Sequence, residues 1–275
     1  MGKARVRMIM NNKPLTIGVF DSGVGGLTVA REIIHTMPYA KLLYLGDTAH
    51  VPYGPRPLEE VKGFALQIIE FLFAQDADAV IMGCNMSAAS GAGDAASSFF
   101  PKPVLGVVLP GSMAASKVTK NQRIGVIATQ GTTNSGIYQN TLKKLGDEAI
   151  VIGCPKFVPL VESGNFTGPE VDAAIAEYLS PLRDAGVDTL IFGCTHYPFL
   201  REAIAAFMGD GVELIDPAIF TVEKIHHMFN TESNTIVSQD EHIFYSSGDP
   251  QSLRREGEKL LGLPMVNVLH VDVPK

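Results

Sequence analysis

The feature that most restricts the fold is a rhythm: short apolar runs alternate with longer amphipathic stretches along nearly the whole chain. Residues 17–20, 42–45, 79–82, 104–109, 124–128, 150–152, 189–192 and 213–215 read as buried strands. Segments between them, such as 58–74 and 170–184, space their apolar residues at helical intervals. Strands alternating with helices in this order predict an α/β fold, with a parallel sheet covered by helices on both faces.

The rhythm also repeats. Asp78-Ala-Val-Ile-Met-Gly-Cys84 aligns without a gap on Asp188-Thr-Leu-Ile-Phe-Gly-Cys194, at an offset of 110 residues, and Ile17-Gly-Val aligns on Ile124-Gly-Val at an offset of 107. Any two buried strands look alike, but Gly-Cys at the same point after both favours duplication. The period is too long for a solenoid. The expectation is two similar parallel-sheet α/β domains related by pseudo-symmetry, with the active site in the cleft between them. Residues 15–112 plus 216–275 form the first domain and 113–215 the second, with the boundary near Pro110-Gly111. At 275 residues the chain is long enough for both. Residues 1–14 are expected to be a flexible tail.

A net charge of −7 argues against a nucleic-acid or anionic-membrane partner, which needs clustered Lys and Arg. It leaves room for a small anionic substrate. Three cysteines, Cys84, Cys154 and Cys194, are too few and too uneven for a disulfide framework. Lys3, Arg5 and Arg7 precede only a short apolar stretch, unlike a signal peptide, and no apolar run is long enough to span a bilayer. A soluble cytoplasmic protein is expected.

Ligands of open parallel sheets bind beyond the carboxyl ends of the strands. Cys84 and Cys194 both sit there, each before a helix and each followed by a polar residue, Asn85 and Thr195. A helix start exposes free N–H groups, which lower a thiol pKa from about 8.5 toward neutrality. Buried cysteines are common core residues, and one Gly-Cys alone would be read that way. Two matched thiols facing one cleft suit a particular chemistry: one removes a proton from a carbon acid and the other returns one to the opposite face. Cys154, before a proline and without a counterpart, reads as structural.

The loop Asp21-Ser-Gly-Val-Gly-Gly26 is no dinucleotide fingerprint, since Thr28 stands at the third glycine position. It reads as a tight turn with Asp21 or Ser22 capping the next helix, or as a carboxylate and amides near a substrate. His196, two residues after Cys194, is placed to assist that thiol. Glu162 is ambiguous by itself, and Tyr53-Gly54-Pro55 reads first as a turn. There is no Walker loop, His-Glu-x-x-His or Cys-x-x-Cys. His226 and His227 are adjacent, whereas helical metal ligands stand three or four apart. No lysine stands out as a pyridoxal-phosphate anchor.

Four ordered segments resemble the glutamate racemase family of the aspartate/glutamate racemase superfamily. They are Gly18-Val-Phe-Asp-Ser-Gly-Val-Gly-Gly-Leu-Thr28, Gly46-Asp-Thr-Ala-His-Val-Pro-Tyr-Gly54, Pro159-Leu-Val-Glu162 and Gly193-Cys-Thr-His-Tyr-Pro198. The resemblance implies a cofactor-independent racemase, without metal or pyridoxal phosphate, that supplies D-glutamate for peptidoglycan and is often a homodimer. It implies that Cys84 handles the α-proton of D-glutamate, assisted by Asp21. Cys194 would handle that of L-glutamate, assisted by His196 and Glu162. Substrate contacts would come from Asp21, Ser22, Tyr53, Gly54, Asn85, Met86, Thr195 and His196. Met86 departs from the family's usual Cys-Asn-Thr and removes a hydroxyl, which bears on affinity and on the choice between glutamate and a related acid. The rival readings are a racemase of aspartate or another acidic amino acid and a non-catalytic bilobal amino-acid-binding protein.

Overall fold

The computed structural model describes residues 13–229 and 236–273; the expected tail lies outside them except for Lys13 and Pro14. In chain order the elements are β1 (Thr16–Asp21), α1 (Leu27–Thr36), β2 (Lys41–Gly46), α2 (Leu58–Ala74), β3 (Ala79–Met82), α3 (Asn85–Ala89), α4 (Ala92–Ser97), β4 (Val104–Gly106) and α5 (Val108–Val118). Then come β5 (Arg123–Ala128), α6 (Gln130–Ser135), α7 (Ile137–Leu145), β6 (Glu148–Gly153), α8 (Phe157–Glu162), α9 (Pro169–Asp184), β7 (Thr189–Gly193), α10 (Arg201–Met208) and β8 (Glu213–Ile215). The chain ends with α11 (Pro217–Phe229), β9 (Ile243–Ser246), α12 (Pro250–Leu261) and β10 (Asn267–His270).

Among the described residues the strands form two sheets, in the orders β10-β9-β2-β1-β3-β4 and β6-β5-β7-β8. Every pairing is parallel. In the first sheet β1 lies between β2 and β3, with Ile17 opposite Leu42 and Ala79. In the second, β5 lies between β6 and β7, with Ile124 opposite Ala149 and Thr189. The order β2-β1-β3-β4 is therefore repeated as β6-β5-β7-β8.

Both faces of each sheet are covered, which is why the strands read as continuous apolar runs rather than alternating ones. Ile17, Val19, Leu42 and Tyr44 pack on the side of α1, α11 and α12, while Phe20, Leu43 and Leu45 pack on the side of α2. The glycine of each Ile-Gly-Val marks where a helix comes closest. A Cβ on Gly18 would meet Leu72 of α2 and Val80 at 3.2 Å; one on Gly125 would meet Leu190 at 3.0 Å and Leu182 of α9 at 3.3 Å. Leu182 and Leu190 follow Leu72 and Val80 at the 110-residue offset of the cysteine strands, so the duplication reaches into the packing.

One expected strand is shorter than the sequence suggested. Residues 104–109 are a single apolar run, but the strand ends at Gly106 and α5 begins at Val108. Pro110 sits in the first helical turn, where its missing N–H costs nothing. Strand end and helix start are both buried here, and apolarity alone does not separate them. The segment after Asp216 returns to the first sheet: α11 packs against α1 and α5, and β9 and β10 extend the sheet beyond β2. No helix among the described residues is long and apolar enough to cross a membrane.

Candidate active site

Each half presents a Gly-Cys at the carboxyl end of a strand beside its central one. The glycines have a steric reason. A Cβ on Gly83 would lie 3.2 Å from the Phe20 carbonyl oxygen, and one on Gly193 2.8 Å from that of Ile127. The chain can turn sharply over the central strand only without side chains there, and the next residue is then delivered to the sheet's end.

Cys84 and Cys194 line one cavity of about 1420 Å³ between the halves. Asp21, Ser22, Tyr53, Gly54, Asn85, Met86, Glu162, Thr195 and His196 line the same cavity. The glycine-rich loop lets the halves approach closely: a Cβ on Gly25 would fall on Thr195 Oγ1 and, at 2.6 Å, on the His196 ring. Neither Asp21 nor Ser22 caps α1, whose N-cap is Gly26 without a side-chain bond. Asp21 instead accepts from the Gly23 N–H at 2.9 Å and from Thr195 Oγ1 at 3.2 Å, across the cleft. A second bridge runs from the Tyr138 hydroxyl to Asn85 Oδ1, 2.7 Å.

The cysteines sit in different settings. Cys84 is the N-cap of α3, whereas Cys194 leads through a turn into a 3₁₀ helix at Tyr197–Leu200 that carries Pro198 in its first turn. Burial pushes the Cys84 thiol up to about 12, with the Asp21 charge adding to it; the N–H groups of Ser87 and Met86 and the Ser87 hydroxyl oppose this and lose. The near-neutral thiol expected from a helix start is thus corrected for Cys84: a five-residue helix is a weak counterweight to a dry site. Burial also raises the Asp21 carboxyl, against the opposing effects of His196 and its hydrogen bonds.

His196 shows the reverse balance. Burial disfavours its cation, but the neighbouring Cys194 and Glu162 outweigh it and hold the imidazole at about 10. Nδ1 lies 3.8 Å from Cys194 Sγ and Nε2 3.2 Å from Glu162 Oε1. The Nε2 contact is an ion pair off the line of the N–H, so it makes no aligned hydrogen bond. Histidine is therefore charged at neutral pH beside the second thiol.

The model of the Asp/Glu/hydantoin racemase family matches residues 25–225 of this chain. The chain belongs to that family. Among its relatives, the glutamate racemase of Corynebacterium kroppenstedtii is 40% identical, over 96% of this chain and 98% of its own. A crystal structure of a glutamate racemase isoform from Bacillus anthracis superposes with a TM-score of 0.87 at 37% identity, covering 94% of this chain and 98% of that one. The glutamate racemase of Francisella tularensis, in complex with D-glutamate, gives 0.85 at 33% identity, covering 95% and 98%.

Several residues of this racemase cavity escaped the reading of single motifs. Thr129 and Thr132 line it from the second half, where the Thr129 side chain caps α6. Thr129 stands 107 residues after Ser22, so the internal repeat carried that signal. Asp47 is fully buried behind Tyr53. It accepts from the Tyr53 hydroxyl at 2.5 Å and the Ser247 hydroxyl at 2.5 Å, and lies 2.8 Å from His50 Nδ1. The Tyr53 hydroxyl is therefore tied to the scaffold. Met86 turns its sulfur into the seam, where a Cβ on Gly131 would lie 2.8 Å from Sδ. Cys154 lines the cavity but is tied into the frame: its N–H donates to Ala128, its carbonyl accepts from the Tyr197 hydroxyl at 3.1 Å, and burial raises its thiol.

Proposed function

We propose that this racemase interconverts L- and D-glutamate by a two-base proton transfer at the α-carbon, without a cofactor. The observation that carries the reading is that Cys84 and Cys194, at equivalent strand ends of two repeated halves, line one cavity. The names of the relatives supply the substrate. In the D-to-L direction the Cys84 thiolate takes the α-proton, and the Cys194 thiol gives its own to the opposite face. The products are L-glutamate, a Cys84 thiol and a Cys194 thiolate, and the reverse reaction starts from that state.

The α-proton is very weakly acidic because the carbanion forms beside a carboxylate. A buried thiolate of raised pKa is a stronger base than an exposed one, which suits it to that proton. Asp21 assists on the Cys84 side. Charged His196, steadied by Glu162, stabilises the thiolate on the Cys194 side. Substrate is held by Ser22, Tyr53, Gly54, Asn85, Met86 and Thr195, together with Asp21 and His196. Domain closure over it excludes water. The reading also divides the chain at 15–112 plus 216–275 and 113–215, and makes the protein a cytoplasmic homodimer serving peptidoglycan synthesis.

The test is incubation of purified protein with L-glutamate, no cofactor added, followed by chiral analysis. Equal amounts of the enantiomers are expected, with deuterium at Cα when the solvent is D₂O. A protein inert to glutamate but active on aspartate would overturn the substrate assignment.

A further inference from the structure

Met86 removes a hydroxyl from the residue two after Cys84, and the fold supplies another one residue later. Cys84 is extended at φ −67°, ψ 125°, and the Ala88 N–H closes the first turn of α3 on the Cys84 carbonyl at 3.0 Å. The second and third residues after an N-cap are the ones whose N–H groups face its side chain; here they are Met86 and Ser87, and the neutral Cys84 thiol accepts no capping hydrogen bond from either. The third position is also where a capping-box side chain folds back onto the cap. Ser87 occupies it. Its side chain is fully buried, and its Oγ makes no aligned hydrogen bond to the neutral thiol or to any other group, although it lies near enough to the sulfur to favour the charged form. Ser22 Oγ, 3.9 Å from the sulfur, accepts from the neutral thiol and lies on the loop after β1 rather than on α3.

We propose that the Ser87 hydroxyl is a donor reserved for the Cys84 thiolate, idle against the neutral thiol and engaged once the sulfur carries charge. A thiol accepts hydrogen bonds weakly, and an ionised acceptor accepts them strongly. The contact therefore strengthens as charge moves onto the sulfur, which is what accelerates a step rather than merely tightening binding. The other titratable groups facing this sulfur are Asp21, Tyr44 and Tyr53; the Asp21 charge opposes a charge on the sulfur, while the two phenols are held neutral beside it. The hydroxyl and the two N–H groups of α3 act against Asp21.

The proposal rests on Cys84 being a proton-transfer group, but its test does not need turnover. In a Cys154→Ser, Cys194→Ser background iodoacetamide reads Cys84 alone. Adding Ser87→Ala is expected to slow alkylation about tenfold at fixed pH, the loss of one hydrogen bond to a charged group. The thermal midpoint is expected to hold or rise, because an unpaired buried polar atom is gone and alanine favours helix. In the three-cysteine enzyme, Ser87→Ala should lower kcat about tenfold in both directions, with KM moving much less. A lower midpoint with alkylation within twofold would make Ser87 a structural cap and overturn the proposal. A wild-type protein inert to glutamate would instead overturn the racemase reading and leave the effect on the sulfur measurable.

Discussion

Burial acts on both sides of the cavity but wins on only one. At Cys84 it dominates and keeps the thiol neutral; at His196 the contacts with Cys194 and Glu162 overcome it. A histidine whose folded pKa is raised from about 6.5 to about 10 stabilises the folded state fully below the lower value, and that contribution is lost as pH climbs through the upper one. Thermal midpoints measured across this window should fall for the wild type and fall less for His196→Asn. Glu162 is half exposed and solvent screens the pair, so the difference is about 1 kcal/mol rather than the full shift. Identical slopes would mean that His196 is not charged in the fold. Cys84→Ser and Cys194→Ser should each lower turnover by at least about a thousandfold while the far-ultraviolet spectrum holds; near-normal racemisation by either would end the two-thiol mechanism. At this scale the sequence showed which side chains share the cavity, because ordered motifs name them. It did not show their charge states, because burial depends on residues distant in the chain, as where Cys84 packs with Tyr53, Val61 and Phe64.

The strand-glycine-cysteine turn is the element both halves share, and its glycines differ in how much room they have. A Cβ on Gly193 meets the Ile127 carbonyl at 2.8 Å and Ala128 Cβ at 3.0 Å, whereas one on Gly83 meets the Phe20 carbonyl at 3.2 Å. Backbone cannot swing aside as a flexible side chain can. Overpacking of this kind costs about 1–3 kcal/mol, and Gly193→Ala should lie at the upper end with Gly83→Ala below it. Denaturant midpoints of the two variants check the order, and an equal or reversed ranking would contradict the packing argument. The repeat of Gly-Cys was legible because close approach to a backbone leaves a glycine in the sequence. The limit of β4 was not: Val107 and Val108 are as buried in the turn and helix as they would be in a strand. The last strands were poorly legible as well. They are short, and their pairing depends on residues some 200 positions earlier, as where the Leu42 N–H donates to His242 Nδ1 at 3.1 Å.

Across the whole molecule, the proposed chemistry depends on how closely the two sheets meet around the cavity, and among the described residues few polar contacts bridge them there. Thr195 reaches Asp21 at 3.2 Å beside the proposed proton-transfer groups, and Tyr138 reaches Asn85 at 2.7 Å. The second bridge is shorter, and Tyr138 is fully buried. Tyr138→Phe removes that bond and leaves Asn85 Oδ1 buried without a partner, a loss of about 1–3 kcal/mol. Asn85 stands next to Cys84 and lines the cavity, so its amide should turn as well as lose stability. The expected result is a KM for glutamate raised several-fold in both directions. Because the two enantiomers are equal in energy, kcat/KM must fall by the same factor for each. A variant that lost stability with KM unchanged would show that the bridge holds the halves together without aligning the site. Unequal changes in kcat/KM would point to a faulty measurement, because no substitution can shift that equilibrium.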